Sequence, residues 1–538
     1  MLGSRRLLHR LLLCLAALGC GDLTPVCAAA PIRTLAELRA QREQATARRR
    51  RVIFNNDGNE PVYLCKTTSP EEFLSYRTTP LLGSQVDSIF YCTWSSGFGL
   101  FTHDTKVGQV FASREDLFAR NLAPEMIAAG TDPLRVMTDF GQKHGIEIFW
   151  SFRLNDTHDG SGAVYGPIMF RANRLKQEHP DWLIGTRTQK PKFGAWSAVD
   201  FTRPEVRELA FRFVEEVCQR YAVDGVEIDF FRHPVFFKRA AQSGTACNDD
   251  ERRLMTGLLQ RIRAMTEHEG LRRGRPILVA VRVPDSVEYC RASGIDLERW
   301  LGDQLVDLLI TGGYFQLNDP AYSVALGRKF GVKVYPSLDD SRVRDVDARK
   351  LRASTAGYRG RALNAWRAGA DGVYLFNSFN PTDPIWRELG SAATLAARER
   401  DYFASVLGPG AAAGGAYPHI PFIRLSQLNP SNPIPLKPGS TATTTFHTGE
   451  KLAANAGVAA ATVLRLQFKE PGGFEALTAE LNGEALRGGR VQAGWLEFDL
   501  PPRQVLPGEN RLQLALAPSA AGVTWTDLCC RVQPPSRP

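Results

Sequence analysis

The segment Asp224-Gly225-Val226-Glu227-Ile228-Asp229-Phe230-Phe231-Arg232 sets two carboxylates two residues apart and ends in a base. Its composition predicts a short buried strand, on which side chains alternate between faces. Val226, Ile228 and Phe230 then share an apolar face, and Glu227, Asp229 and Phe231 share the other. Buried carboxylates are costly unless paired or used. The C-terminal end of a barrel strand is also where catalytic acids project. Asp229 is therefore the leading candidate for a nucleophile or general base. Glu227, two residues deeper, is expected to be a structural ion-pair partner.

That segment is one of eight short apolar runs between residues 51 and 380. The others are Val52 to Phe54, Ser88 to Cys92, Glu147 to Phe152, Ile277 to Val283, Leu308 to Thr311, Val332 to Tyr335 and Gly372 to Phe376. Longer segments with helical spacing lie between them. In Pro204 to Tyr221, after the capping residue Thr202, one stripe carries Val206, Leu209, Ala210, Phe213, Val214 and Val217. Alternating strand and helix predicts a parallel sheet. Eight such units in roughly 350 residues fit an α/β fold of the (β/α)8 TIM barrel type. Near residue 405 the composition shifts to Leu407-Gly408-Pro409-Gly410 and an Ala/Gly run, which reads as a linker. Beyond it Val463 to Phe468, Ala476 to Leu481, Trp495 to Leu500 and Arg511 to Leu516 alternate as strands. The expected organisation is a signal peptide at 1–30, an N-terminal segment at 31–50 and the barrel at 51–405. A linker at 406–419 then leads to a C-terminal all-β sandwich at 420–538, with a carbohydrate-binding role for it left open.

The strand ends compose a polar mouth. Asp57 follows the first run, Arg153, Asn155 and His158 the third, and Asp229 and Arg232 the fourth. Arg282 and Asp285 end the fifth, Tyr314 follows the sixth, Asp339 and Asp340 the seventh, and Asn377 the eighth. Such a mouth suits glycoside hydrolysis, in which one carboxyl protonates the leaving oxygen and another attacks the sugar or activates water. The partner of Asp229 is expected to be Asp285 or Asp339. A separation of about 5–5.5 Å would give retention and about 6.5–9.5 Å inversion. Asp57, Arg153, Asn155, His158, Arg232, Arg282, Tyr314 and Asn377 are expected to bind substrate. Trp94 is expected to offer a ring for sugar C–H faces, as are Trp182, Trp196 and Phe231. Duller roles stand beside these: Asp229 as a buried pair for Arg232 or Arg282, Arg282 as a lumen cation neutralising Glu227 or Asp229, Asp285 as a helix cap, Asp57 as part of an Asn-Asp-Gly turn, and the tryptophans as loop packing. Asp156 and His158 lack a second histidine at ligand spacing, so no metal and no cofactor is expected.

The chain has 538 residues, 43% apolar and 23% charged, enough for a large core without metal or disulfide staples. Its net charge of +9 owes much to Arg48 through Arg51. Elsewhere both signs mix, which argues against nucleic acid as a partner. Arg5, Arg6 and Arg10 precede the apolar run Leu11 to Leu18 and the small residues Ala28-Ala29-Ala30. This pattern of secretory leaders is too short for a transmembrane span. A secreted or periplasmic location is expected. A lipid anchor on Cys20 is less favoured, because Ala17 stands where Leu is usual. Seven cysteines fall outside the leader, at irregular spacing that assigns no pairing, and nothing here sets the oligomeric state.

Three segments carry a resemblance: Asp224 to Arg232, Arg51-Val52-Ile53-Phe54-Asn55-Asn56-Asp57-Gly58 and Ser151-Phe152-Arg153-Leu154-Asn155-Asp156-Thr157-His158. They resemble the fourth, first and third strands of the family 10-like glycoside hydrolases of bacteria, over roughly residues 50 to 400. The resemblance implies a (β/α)8 barrel and carbohydrate hydrolysis. The fourth strand is also similar to the chitinase pattern, but Phe231 stands where that family's catalytic glutamate would be, which excludes chitinase chemistry. A non-catalytic carbohydrate-binding barrel is the alternative, and a metal-dependent hydrolase a third.

Overall fold

The computed structural model describes residues 32–407, 422–452, 461–472 and 474–534. The expected leader, with Cys20, and nearly all of the expected linker lie outside the described residues. Eight strands form one parallel sheet: β1 Val52–Asn56, β2 Val86–Tyr91, β3 Glu147–Arg153, β4 Gly225–Asp229, β5 Leu278–Val283, β6 Leu308–Thr311, β7 Lys333–Pro336 and β8 Val373–Leu375. Each of β1 to β6 pairs with the next and β8 pairs with β1, while β7 meets β8 only through the bridge of Ser337 to Tyr374. The Leu338 N–H donates to the Tyr374 carbonyl at 2.8 Å and the Asp371 N–H to that of Val334 at 3.0 Å, closing the cylinder. The result is the TIM barrel, and every apolar run of the sequence supplies one strand.

Alternation along the strands divides two cores. Ile53, Phe90, Phe149, Leu278, Ile310, Tyr335 and Tyr374 fill the lumen. Val226, Ile228 and their equivalents face the helical layer. The lumen is thus plugged with hydrocarbon and aromatic rings, and its polar residues are pushed to the ends.

Local chemistry sets the helices. Helix α1 (Leu35–Ala47) begins at a capping box formed by Thr34 and Glu37. In α2 (Pro133–His144) the Asp132 carboxylate accepts from the N–H groups of Leu134 and Arg135, and Gly145 ends the helix at φ +69°. Helix α3 (Pro204–Arg220) buries Val206, Ala210, Phe213, Val214 and Val217 of the expected stripe and leaves its sixth residue, Leu209, half-buried. Its cap differs from expectation: Arg203 holds the cap position with no side-chain bond, and the Thr202 hydroxyl donates to Asp200 instead. Of the basic run before β1, Arg50 is fully buried against Glu147, Arg48 lies 3.8 Å from the same carboxylate and Arg51 pairs with Asp87, so three of its four charges are matched at the barrel base.

The C-terminal strands are β9 Arg400–Phe403, β10 Ile434–Leu436, β11 Thr441–Thr448, β12 Ala461–Phe468, β13 Leu477–Leu481, β14 Glu484–Ala485, β15 Arg490–Gln492, β16 Trp495–Asp499, β17 Gly508–Leu516 and β18 Val523–Gln533. Two antiparallel sheets, β9-β18-β12-β16-β15 and β11-β17-β13-β14, enclose a core that includes Leu464, Leu466, Leu512, Leu514, Trp525 and Leu528. This is the sandwich. Its first strand, β9, precedes residue 405. A buried ion pair fastens it to the barrel: the Arg352 guanidinium donates to both Asp527 oxygens at 2.8 and 2.6 Å and to the Ser405 carbonyl. The seven described cysteines are buried and free, and no described helix is long and apolar enough to cross a membrane.

Candidate active site

The register of β3, β4 and β5 sets Arg153 beside Asp229 and Asp229 beside Arg282. Asp229 Oδ1 accepts from the backbone N–H groups of Phe231 and Arg232 at 2.9 and 3.0 Å, and Oδ2 lies 3.5 Å from Arg282 Nη1. Arg282 Nη2 reaches Asp339 at 2.9 Å, and the other Asp339 oxygen takes the Ser337 hydroxyl. The Phe376 ring sits 4.0 Å from the Arg282 guanidinium. Asp229 is 2% exposed, and Arg282 and Asp339 are sealed. These three therefore form an ion network beneath the mouth. Arg282, expected either on substrate or as the neutralising partner of Glu227 or Asp229, bridges Asp229 and Asp339. The expected pair Asp229 and Asp339 is brought together, but through a guanidinium and away from solvent.

Glu227 lies one layer deeper. Its Oε2 accepts from the Ser151 hydroxyl at 2.5 Å and the Tyr374 hydroxyl at 3.1 Å. Burial, then the charge of Asp229, pushes its carboxyl up to about 8 from an ordinary 4.5. It is thus a neutral hydrogen-bonding group at pH 7, and not the ion-pair partner expected. The folded state keeps a proton that the unfolded chain loses, so this group's contribution to stability falls as pH rises from about 4.5 to about 8. Glu227→Gln is expected to flatten that part of the curve of denaturant midpoint against pH. An unchanged slope would show that the carboxyl is ionised in the fold.

Asp285 is elsewhere. It opens on the seam between barrel and sandwich, where its carboxylate accepts from the N–H groups of Leu317 and Asn318, each at 3.0 Å. Burial lifts it to about 6 in spite of these bonds. It ties down the loop after β6, and Ser286, not Asp285, caps the next helix. The seam cavity, about 80 Å³, has room for a few waters. Asn155 is likewise committed: its amide donates to the carbonyls of Val199 and Val235 at 2.9 and 2.6 Å, and its oxygen accepts from the Val199 N–H at 2.9 Å. It is 2% exposed and holds two loops together where a sugar ligand was expected. Asn155→Ala is expected to cost about 1–3 kcal/mol through the buried groups left unpaired. A urea midpoint equal to wild type would contradict this.

Above the ion network the mouth is open. A cleft of about 520 Å³ is lined by Thr157, His158, Arg232, His233, Tyr314, Arg342 and Asn377, with Ser161 and Tyr165 at its rim. A smaller hollow of about 190 Å³ shares His158 and Tyr165 and adds Asn59, Tyr63, Trp94 and Arg153. Trp94 is 5% exposed and packs against Phe111 and Phe118, with ring centroids 4.2 and 5.5 Å away, so only an edge of it faces the hollow. The Tyr314 ring lies between two guanidiniums, those of Arg232 at 4.8 Å and Arg342 at 4.2 Å. Asn377 adopts φ +59°, and its amide donates to Asp340 at 3.5 Å.

Two carboxylates keep contact with solvent here. The Asp57 side chain is 13% exposed and ion-paired to Arg153. Burial raises its carboxyl, but the nearby Arg153, Arg232, Arg77 and His158 outweigh that and hold it below the usual range. It stands in a turn whose Gly58 has φ +68° and packs so closely on Thr93 that a Cβ would meet the Thr93 backbone nitrogen at 2.6 Å. The turn reading and the mouth reading of Asn56-Asp57-Gly58 therefore both hold geometrically. Asp340, 40% exposed, lies 3.3 Å from Arg342. In the sequence it is overshadowed by Asp339, yet Asp339 turns inward to Arg282 and Ser337 while Asp340 stays at the rim.

Asp156, His158 and His233 bring ligand-type atoms within 4.8 Å of one another. His233 is the second histidine that spacing did not show. Their donors are already committed. His158 Nδ1 bonds Asp156 at 2.7 Å, and its Nε2 accepts from Arg232 Nη2 at 2.9 Å. Asp156 Oδ1 takes the N–H groups of Gly97 and His158, and Arg153 stands 3.7 Å from Oδ2. His233 Nδ1 accepts from the Thr157 N–H, and burial drives its pKa down to about 3, so the ring is neutral. Two guanidiniums beside the cluster repel a divalent cation, and the set does not fit a metal.

No family model and no curated protein matches the chain. Solved structures similar to it include the glycoside hydrolase domain of PgaB (BpsB) from Bordetella bronchiseptica, 11% identical, TM-score 0.40, covering 64% of this chain and 98% of that one. Alpha-L-fucosidase isoenzyme 2 from Paenibacillus thiaminolyticus is 12% identical with TM-score 0.41, covering 64% and 49%. A glycoside hydrolase family 18 N-acetylglucosaminidase from Paenibacillus barengoltzii is 13% identical with TM-score 0.35, covering 64% and 99%. These neighbours are glycoside hydrolases. Likeness at this level assigns neither a substrate nor a residue role to this chain.

Proposed function

We propose that the protein is a glycoside hydrolase that cleaves carbohydrate at the barrel mouth, in line with the family 10-like resemblance of its strand ends. The observation that carries this is the pairing of a cleft rich in hydroxyl, imidazole, amide and aromatic groups with two carboxylates, Asp57 and Asp340, that keep contact with solvent. Asp57, held ionised, suits a base or nucleophile, and Asp340 supplies the second carboxyl. Asp57 follows β1 and Asp340 lies past the end of β7, with β8 between those strands. A carboxyl separation of about 5–5.5 Å goes with retention and one of about 6.5–9.5 Å with inversion. Asp229 supports the mouth from below: with one oxygen on two backbone N–H groups and the other facing Arg282, it has little left to offer a sugar.

A second reading, carbohydrate binding without turnover, is favoured by the ion pair that engages Asp57. A panel of oligo- and polysaccharides incubated with the purified protein separates the two. Reducing ends released from any member support hydrolysis. Binding with no release from any member supports the second reading. Export fits either one. N-terminal sequencing of protein recovered outside the cytoplasm is expected to begin just after Ala30, and an intact Met1 there would oppose a cleaved leader.

A further inference from the structure

The cations around the cleft are unequally matched. Arg153 has Asp57 and Arg342 has Asp340. Arg232 bonds only the His158 ring with its Nη2, and no ion pair joins its guanidinium to a carboxylate among the described residues. Its Nε and Nη1 are buried without a hydrogen-bond partner. The Tyr314 and Phe376 rings, 4.8 and 5.2 Å from it, fix it on the cleft wall. The nearest carboxylate on its own strand, Asp229, bonds its backbone N–H and is turned toward Arg282. A desolvated cation with no direct ion pair is costly, and an arriving anion would relieve that cost. Burial, then Arg153 nearby, lowers this guanidinium to about 10, although Asp57, Asp156 and Asp229 act in the other direction from a distance.

We propose that the cleft selects an acidic carbohydrate, whose carboxylate or sulfate ester pairs with Arg232 while the sugar ring lies along Tyr314. This rests on the reading that the mouth binds carbohydrate, and it adds the class of sugar. Arg342, exposed at the far side of Tyr314, extends the same positive wall toward a neighbouring unit. Guanidinium suits both oxyanions, because its planar fork of N–H donors matches carboxylate and sulfate geometry.

The test is titration calorimetry of the full chain with three probes of equal length: a galacturonate oligomer, a sulfated galactan oligomer and a neutral galactose oligomer. One or both acidic probes are expected to bind about 10- to 100-fold more tightly than the neutral one, with the preference shrinking at high salt. Arg232→Gln is expected to erase most of that preference, so that the acidic and neutral probes bind alike. Its melting temperature controls for folding, and the salt dependence of wild type stands without the variant. Equal affinity for all three probes, binding of none, or an acid preference that survives in folded Arg232→Gln would overturn the proposal. Turnover of a neutral polysaccharide beside equal affinities would sink the acidic preference and leave hydrolysis standing. Acid preference without reducing-end release from any substrate would do the reverse.

Discussion

Arg282→Met is expected to lower the stability of the barrel by about 3–5 kcal/mol, the cost of removing one partner from a buried charge network. Arg282 is fully buried, and its guanidinium faces Asp229 at 3.5 Å and Asp339 at 2.9 Å. Without it, two carboxylates stay in a site that excludes water, above a Glu227 already pushed to its neutral form. Methionine keeps most of the hydrocarbon volume against Phe376 and Tyr374, so the loss reports charge more than packing. The check is guanidinium-chloride unfolding of wild type, Arg282→Met and the triple variant Arg282→Met/Asp229→Asn/Asp339→Asn. The triple variant is expected to recover a large part of the loss, because neutral amides no longer need the counter-charge. A single variant as stable as wild type would mean that the network contributes nothing.

The second large effect concerns turnover. Asp57→Asn is expected to reduce kcat by about 10²- to 10⁴-fold, the range that a general base contributes, with substrate affinity nearly kept. The amide occupies the same turn and can still meet Arg153 through its oxygen, so the mouth keeps its shape while the group loses its charge and its capacity to take a proton. Asp340→Asn is expected to act on the same step. For an inverting pair, the first product observed by NMR carries the anomeric configuration opposite to that of the substrate bond. Asp285→Asn, on the seam away from the cleft, is expected to leave turnover within about two-fold, as for a group that makes no contact with the reacting atoms.

The barrel was legible because its signals are local. Eight apolar runs set the strands, and the stripe of α3 set its buried face. The candidate site was legible in part. Reading strand ends gathered Arg153, His158, Arg232, Tyr314 and Asn377 around the two adjoining clefts, with Asp57 paired to Arg153 beside them, since all strands of a parallel barrel end on one rim. It could not tell a side chain at the rim from one just beneath it. Asp339 and Asp340 are adjacent in sequence past the end of β7, and only their contacts part them, Asp339 on Arg282 and Ser337 and Asp340 beside Arg342; Arg282 and Asp229 look as available as Arg232 until register reveals what each already holds. Asn155 and Asp285 drop out for another reason. Their partners, Val199, Val235, Leu317 and Asn318, come from loops with no periodicity to predict where they return. His233 was missed because 75 residues separate it in sequence from His158, beside which the ends of β3 and β4 place it.

The account stands on a charged carboxylate at the rim performing the chemistry while the buried one supports it. Turnover of one substrate by wild type and by Asp57→Asn, both at matched melting temperature and saturating substrate, measures this most directly. The predicted result is a drop in kcat of about 10²-fold or more with binding retained. Equal turnover by the two proteins would contradict it and remove the rim carboxylate from the reaction.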